Sequence, residues 1–337
     1  MSGTGSERAS PLVRAVAERA FSPSGDPALD SAVRRLVGAT GDSLFGLVFF
    51  GSRRTGAARA NAWSAYDLFV VVEAYRPFYE ALRREGLTGK PPALVSLVSR
   101  WLPPTQYSLR FEAEGVRVKA AVIRADTFRR ETSARRRDHF CIGRLFQPTR
   151  ILHFRDEDAR GHLLEGLVSA HRETWRWARP WLPATFGASE YGLSALRTSM
   201  SWEIRPEPAG RADALWQAQE SLQAPVFEAL LRELTDRGEV VPVPGEPGAV
   251  TPARGVGWAE RLRLEAYFRR SIVRSTTRWL KHTVTFEGWL DYIVAKASRH
   301  TGEEIVLTDR ERRWPLVFLW GRAFDYLRTK NRKGSPR

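Results

Sequence analysis

Leu47-Val48-Phe49-Phe50-Gly51-Ser52-Arg53-Arg54-Thr55-Gly56, followed after a short gap by Ser64-Ala65-Tyr66-Asp67-Leu68-Phe69-Val70-Val71-Val72, is the stretch that decides the fold. Its two apolar runs, rich in Val and Phe, read as strands. The first runs into Gly-Ser and a tight loop, and the second opens on a carboxylate. Gly51 lets the backbone approach a phosphate closely. The Ser52 hydroxyl and the amides that follow, Arg53 first, can donate to phosphate oxygens, and Asp67 can hold a divalent cation against them. An ordinary strand–turn–strand with an acidic first residue has the same pattern, so the flanking segments must decide.

Before this stretch, Pro27 to Val37 reads as a helix with Leu29, Val33, Leu36 and Val37 at helical spacing. After it, Phe78–Arg84 and Pro91–Trp101 read as helices, the second stopped by Pro103-Pro104. Tyr107–Phe111 and Val116–Ile123 alternate about Glu114-Gly115 as a hairpin. From Ala125 the chain turns helical, with a short strand at Arg150–Phe154. Helices are expected over His162–Trp181, Ser189–Ser201, Ala212–Asp236, Trp258–His282 and about Phe286–His300. Gly238–Gly257, rich in Pro and Gly, reads as a linker. The predicted class is α+β, a mixed sheet with flanking helices followed by helical regions.

The chain has 337 residues, long enough for two domains, and 43% of them are hydrophobic, which supports real cores. Its longest apolar runs fall far short of the roughly 20 residues a membrane span needs. Residues 1–24 read as a flexible leader: they lack an apolar signal core, and Glu7, Glu18 and Asp26 do not suit a transit peptide. One cysteine, Cys141, excludes an intramolecular disulfide and any cysteine-cluster metal site, and the six histidines show no His-Glu-x-x-His spacing. A bound metal would therefore have oxygen ligands, which points to magnesium or manganese. The formal charge is +15, carried almost wholly by arginine. A GC-rich genome favours arginine codons, but an excess this large also implies an anionic partner, either nucleic acid or acidic lipid.

Five strings in order resemble the mitochondrial-type phosphatidate cytidylyltransferases, a family with a nucleotidyltransferase core. They are Phe50-Gly51-Ser52 with Asp67-Leu68-Phe69-Val70, then Val118-Lys119-Ala120-Ala121-Val122-Ile123, then Gly143-Arg144-Leu145-Phe146-Gln147-Pro148-Thr149-Arg150-Ile151-Leu152. Ser201-Trp202-Glu203-Ile204-Arg205 and the run from Arg269-Arg270-Ser271 to Arg278 complete the set. The chain departs from the family pattern at Arg53, at Ala120-Ala121 and at Trp202-Glu203, and the family's His-Tyr-Ser segment after the Asp strand has no counterpart in it.

The resemblance implies a nucleotidyltransferase domain over residues 25–153, a winged-helix-like helical domain over 154–240, and a basic C-terminal region over 258–337. It implies magnesium-dependent transfer of CMP from CTP to phosphatidic acid, by a cytoplasmic protein resting on the inner face of the membrane. Asp67 would be a metal ligand. Position 65, where many nucleotidyltransferases carry another carboxylate, is alanine, so Glu203 is the expected second ligand, with Glu112 and Glu73 as fallbacks. Lys119 would contact phosphate, unless it only lines a solvent face. Arg144 would grip the triphosphate alongside Gly51, Ser52 and Arg53, or else pair with Glu131 or Asp138.

Arg270, Arg274 and Arg278 fall on one helix face, and such a row repels itself unless an anion lies against it. With Ser271 they are the expected site for the lipid headgroup phosphate or the triphosphate tail; a solvated basic face is the alternative. The aromatic tail with Trp314, Phe318 and Trp320, followed by Lys330, is the expected membrane contact. Two rival functions remain: a nucleotidyltransferase acting on RNA or another acceptor, and a non-catalytic protein that binds anionic lipid.

Overall fold

The computed structural model describes residues 10–51, 65–203, 210–278 and 306–313, with 281, 285, 294 and 298 as single positions. Ser52 and Arg53 lie outside the described residues, as do Trp314, Phe318, Trp320, Lys330 and most of the helix expected at 286–300. The chain divides into two compact units, Met1–Lys281 and His282–Arg337.

The first unit is α+β, built on a five-stranded mixed sheet. The strands are β1 (Leu44–Phe50), β2 (Tyr66–Val72), β3 (Thr105–Phe111), β4 (Val116–Arg124) and β5 (Arg150–Phe154), in the spatial order β3-β4-β2-β1-β5. β2 and β4 run parallel, and the other neighbours are antiparallel. β1 and β2 are nearly continuous apolar runs because both faces of the sheet are covered there.

One face carries Leu47, Phe49, Leu68, Val70, Val118 and Val122. It packs under α2 (Pro27–Thr40), α3 (Tyr75–Arg84) and α4 (Pro92–Arg100). Asp26 accepts from the Leu29 amide and starts α2, with Pro27 already set for the first turn. The other face carries Val48, Phe50, Phe69, Val71, Ala121 and Ile123 in a second core, which reaches Phe227 and Phe268. Over it lie α5 (Ala125–Glu131), α6 (Ile142–Leu145), α7 (Glu157–Arg172), α8 (Thr174–Ala178), α9 (Ala188–Ser201) and α10 (Arg211–Asp236). Because this core runs unbroken from the sheet to α10 and on to Phe268, the chain has no compact-unit border at the 153–154 boundary expected from sequence.

Three expectations are corrected. The leader contains α1 (Pro11–Ala20), started by Ser10, which accepts from the Val13 amide. Its Leu12, Val16 and Ala20, one turn apart, are buried in the second core, so this segment is held by packing. The supposed linker holds a hairpin, β6 (Val240–Pro242) with β7 (Val250–Pro252), and Val250 also bridges to Phe186. The single helix expected at His162–Trp181 is two, because α7 ends at Arg172 and α8 restarts at Thr174, whose hydroxyl bonds the His171 carbonyl and Tyr191.

The last long element of this unit is α11 (Trp258–Arg278). In the second unit a short helix, Asp309–Arg313, begins with a reciprocal cap: Thr308 Oγ1 accepts from the Glu311 amide, and the Glu311 carboxylate accepts from the Thr308 amide. Among the described residues no helix is long and apolar enough to cross a membrane.

Candidate functional site

The second face of the sheet changes character partway along. Burial in β4 alternates from Val116 to Lys119 and is continuous from Ala120 to Ile123. Register places Ser108, Lys119, Asp67 and Phe50 side by side across β3, β4, β2 and β1. In-register neighbours project to the same side of a sheet. One step along each strand toward the core, Phe69 and Ala121 are buried and apolar. One step the other way stand Arg110 and Arg117, which are also paired in register. Asp67 therefore sits at the rim of the core, beside a half-face carrying Lys119, Arg117 and Arg110.

Gly51 is what lets the chain leave β1 against this carboxylate. Its φ is +92°, and a Cβ placed there would lie 2.7 Å from Asp67 Oδ2 and 3.3 Å from the Asp67 Cβ. A side chain would thus be strained in backbone and would displace the acid. Ser52 and Arg53, the next residues of the expected phosphate loop, are outside the described residues.

Phe140 joins the buried part of this face, one step from Asp67 toward the core, to the arginines of the helical layer. Its ring lies 6.3 Å from that of Phe69. The Arg144 guanidinium lies over it at 4.0 Å and that of Arg278 at 4.8 Å. Arg144 donates to the Phe140 carbonyl and lies 3.6 Å from Glu203, so neither Glu131 nor Asp138 is its partner. Glu203 follows the end of α9, and its ion-pair partner is Arg144. Glu73 follows Val72 at the far end of β2, about 20 Å along the strand from Asp67, and pairs with Arg155. Glu112 opens the β3–β4 turn and is exposed.

The arginine row on α11 shares one face, as its spacing requires, and the anion against it belongs to the chain itself. Asp138, 2% exposed, accepts from Arg274 Nε at 3.1 Å and from Arg278 Nη2 at 2.6 Å. Arg278 is equally buried and also donates to the Leu102 and Pro103 carbonyls. Lys281 Nζ donates to the Trp101 and Leu102 carbonyls and to Thr105 Oγ1. Burial, reinforced by the charge of Arg278, lowers the affinity of Lys281 for its proton, while Asp138 opposes that shift. Ser271 is buried and accepts from the His139 amide. Only Arg270 of the expected headgroup set is exposed, its guanidinium donating to the Arg137 carbonyl. Ser271 and Arg278 thus fasten α11 to the body of the unit.

Beside Asp138 lies a buried polar chain that sequence reasoning did not find. Glu173 accepts from Arg136, which donates to the Tyr267 hydroxyl; that hydroxyl meets His139 Nδ1, and His139 Nε2 meets Ser199 Oγ at 3.1 Å. Burial, then the nearby Arg136 and Arg144, hold the His139 pKa well below its ordinary value, so its ring is neutral. Burial likewise pushes the Tyr267 pKa up to about 12. The ring of His139 is enclosed by Trp177, Tyr267 and Phe268, which marks it as a structural histidine. The available signal was the run Arg135-Arg136-Arg137-Asp138-His139, where a single acid stands among basic residues. Arg110 and Arg117 were also missed, although hairpin alternation places both on the face of Lys119.

Magnesium often takes only one or two protein carboxylates and draws its other ligands from substrate phosphates and water. Asp67, which the missing side chain of Gly51 lets the backbone approach closely, is a single carboxylate of the kind such a site uses. Among the described residues no group of three His, Cys, Asp or Glu side chains is arranged to hold a metal on its own. No protein-family model matches the chain, and no curated protein matches it.

Proposed function

We propose that the first unit is a nucleotidyltransferase that moves CMP from CTP to phosphatidic acid, releasing pyrophosphate. The observation that carries this reading is the register pairing of Asp67 with Lys119 beside Gly51, with Arg117 and Arg110 on the same half-face. Phosphoryl-transfer chemistry asks a protein mainly for positioning and charge neutralisation, and this half-face offers both signs of charge on rigid strands. The fold is read as a nucleotidyltransferase core, with α7–α10 and the β6–β7 hairpin as its winged-helix-like companion.

Asp67 would hold a magnesium ion, which when bound supplies positive charge to the triphosphate. Gly51 keeps the loop backbone close enough for its amides to reach phosphate oxygens. Lys119 and Arg117 balance the negative charge that builds as an acceptor phosphate attacks the α-phosphorus and pyrophosphate departs. Arg144, held between Glu203 and the Phe140 ring, would add a further cation for the triphosphate.

The test is incubation of the whole chain with labelled CTP, phosphatidic acid and magnesium. CDP-diacylglycerol should form with the wild type and be lost in Asp67→Asn. Absence of product, or equal product from both proteins, ends the reading. A non-catalytic triphosphate-binding role is favoured by one observation: on the face of Asp67, Ala65 and Lys119 stand where further carboxylates would serve a metal. Calorimetry with CTP separates the two, since that role predicts binding that is unchanged by magnesium.

A further inference from the structure

From Pro91 to Pro104 the chain carries one charged residue, Arg100, in a protein where 27% of residues are charged. Most of this stretch is α4, and the side of α4 that buries Val95, Ser96 and Ser99 packs against α3, where Ser99 Oγ meets the Tyr79 hydroxyl at 3.0 Å. The opposite side is apolar as well. Leu94, Leu97 and Trp101 are 45%, 66% and 48% exposed, and their i, i+3, i+7 spacing puts them in one stripe. Such a stripe on an exposed helix marks an interaction surface.

Several backbone groups of the turn that follows α4 are already hydrogen-bonded. After α4 the chain turns through Trp101-Leu102-Pro103-Pro104, and the two prolines have no amide hydrogen to leave unpaired. The Trp101 amide donates to the Val98 carbonyl. The Trp101 and Leu102 carbonyls accept from Lys281, and the Leu102 and Pro103 carbonyls also accept from Arg278. These cations lie on the inner side and are themselves buried. A segment whose carbonyls are already bonded can enter an apolar medium without losing hydrogen bonds to water.

The rim of the stripe is basic. Between residues 76 and 104 there are five basic and two acidic residues, and one of the acids, Glu80, is paired with Arg76 at 2.8 Å. Arg83 and Arg84 are exposed in the last turn of α3, and a shallow hollow of about 570 Å³ between α3 and α4 is lined by both together with Arg76, its partner Glu80, Pro92 and Ala93. Lys90 precedes the stripe and exposed Arg100 flanks it. Leucines, a tryptophan at the edge and cations around them match the layers of a bilayer interface: acyl chains, carbonyl region and anionic phosphates.

We infer that α4 and the turn after it form a docking surface for an anionic lipid bilayer, with Leu94, Leu97 and Trp101 entering the interface and Arg83, Arg84 and Lys90 meeting lipid phosphates. The inference rests on the lipid-acceptor reading above for its purpose, but its physical basis and its test are separate. This surface lies within the first unit.

Flotation of the full chain with vesicles tests it, using phosphatidylcholine alone and phosphatidylcholine with roughly one-third phosphatidylglycerol. The wild type should float with the anionic vesicles and not with the neutral ones. Leu97→Asp combined with Trp101→Asp, and separately Arg83→Gln with Arg84→Gln, should each weaken that binding about tenfold or more. Both variants should keep the wild-type circular dichroism, since the altered side chains are exposed. Binding of magnesium–CTP, measured on the same samples, should be unchanged. Wild-type flotation by either variant, equal binding to neutral vesicles, or no binding by the wild type overturns the proposal. So does conversion of a dimer to a monomer by Leu97→Asp, which would make the stripe a contact between copies. If CDP-diacylglycerol never forms but flotation still depends on α4, the docking surface stands and the catalytic reading alone falls.

Discussion

Asp138 Oδ2 lies 2.6 Å from Arg278 Nη2, both side chains are 2% exposed, and the two residues are 140 positions apart in the chain. This pair, joined by Arg274, closes α11 onto the loop that follows α5. It also answers the question posed by the spacing of the arginine row, since the anion that such a row requires is contributed by the protein.

Removal of that anion should be severe. Asp138→Asn leaves Arg278 buried without a counter-charge, and breaking such a pair costs about 3–5 kcal/mol. Urea unfolding should show the loss as a lower midpoint. Arg278→Met, which leaves Asp138 with Arg274, should cost less. A midpoint for Asp138→Asn matching the wild type would show that the pair contributes little.

Acid should weaken the fold through two histidines. His171 Nδ1 lies 2.8 Å from the Leu167 carbonyl and Nε2 lies 3.1 Å from Arg19, so the ring donates to the carbonyl and accepts from the guanidinium. Burial, with Arg19 beside it, lowers the His171 pKa to about 3. His139 is lowered in the same direction. A histidine whose folded pKa lies below its unfolded value near 6.5 gives full stability above that pH. The contribution is lost as pH falls toward the folded pKa, by up to about 1.4 kcal/mol per unit for each group. Denaturant midpoints between pH 7.5 and pH 4.5, values chosen as roughly bracketing that window, should fall less steeply in His171→Gln than in the wild type. Parallel slopes would refute this assignment.

Gly51→Ala tests the join between β1 and the candidate site. A φ of +92° and a Cβ 2.7 Å from Asp67 Oδ2 give both backbone strain and displacement of the acid. The expected loss of stability is about 1–3 kcal/mol, read as a lower melting temperature. Magnesium-dependent CTP binding should fall by more than the unfolded fraction explains. If binding survives intact, Asp67 does not hold the cation.

Gly192 on α9 faces the Trp216 ring of α10, and an added Cβ would overlap that ring. Gly192→Ala should therefore destabilise by about 1–3 kcal/mol despite alanine's better helix propensity. Trp216→Phe should relieve part of this, so the double variant should be more stable than the sum of the two changes predicts. Additive melting shifts would show that the ring moves aside freely.

The sheet could be read from the chain because its signals are local. Val and Phe runs, the Glu114-Gly115 turn and the Gly51–Asp67 spacing lie within single elements or adjacent ones. Failures occurred where tertiary partners decide. Leu12, Val16 and Ala20 carried a helical stripe, yet the partners that bury it, α7 and α10, lie far along the chain. The Pro and Gly of 238–257 described a hairpin equally well, and the bridge between Val250 and Phe186 settles which it is. Of the candidate site, Asp67 and Lys119 could be named from sequence, and their register as neighbours is a property of the assembled sheet. The inward turn of Arg278 depended on Asp138 and on two carbonyls of a distant loop, which no spacing rule encodes.

The docking of α1 against α10 has a consequence for synthesis. Arg19 bonds the Leu222 carbonyl, 203 residues further along. At about 5–20 residues per second, α1 waits roughly 10–40 s before α10 has been translated. Throughout that interval α7 and β5 can meet α1 but the side that packs on α10 stays bare, so ribosome-bound intermediates ending before α10 should be targets for chaperones and proteases at this helix.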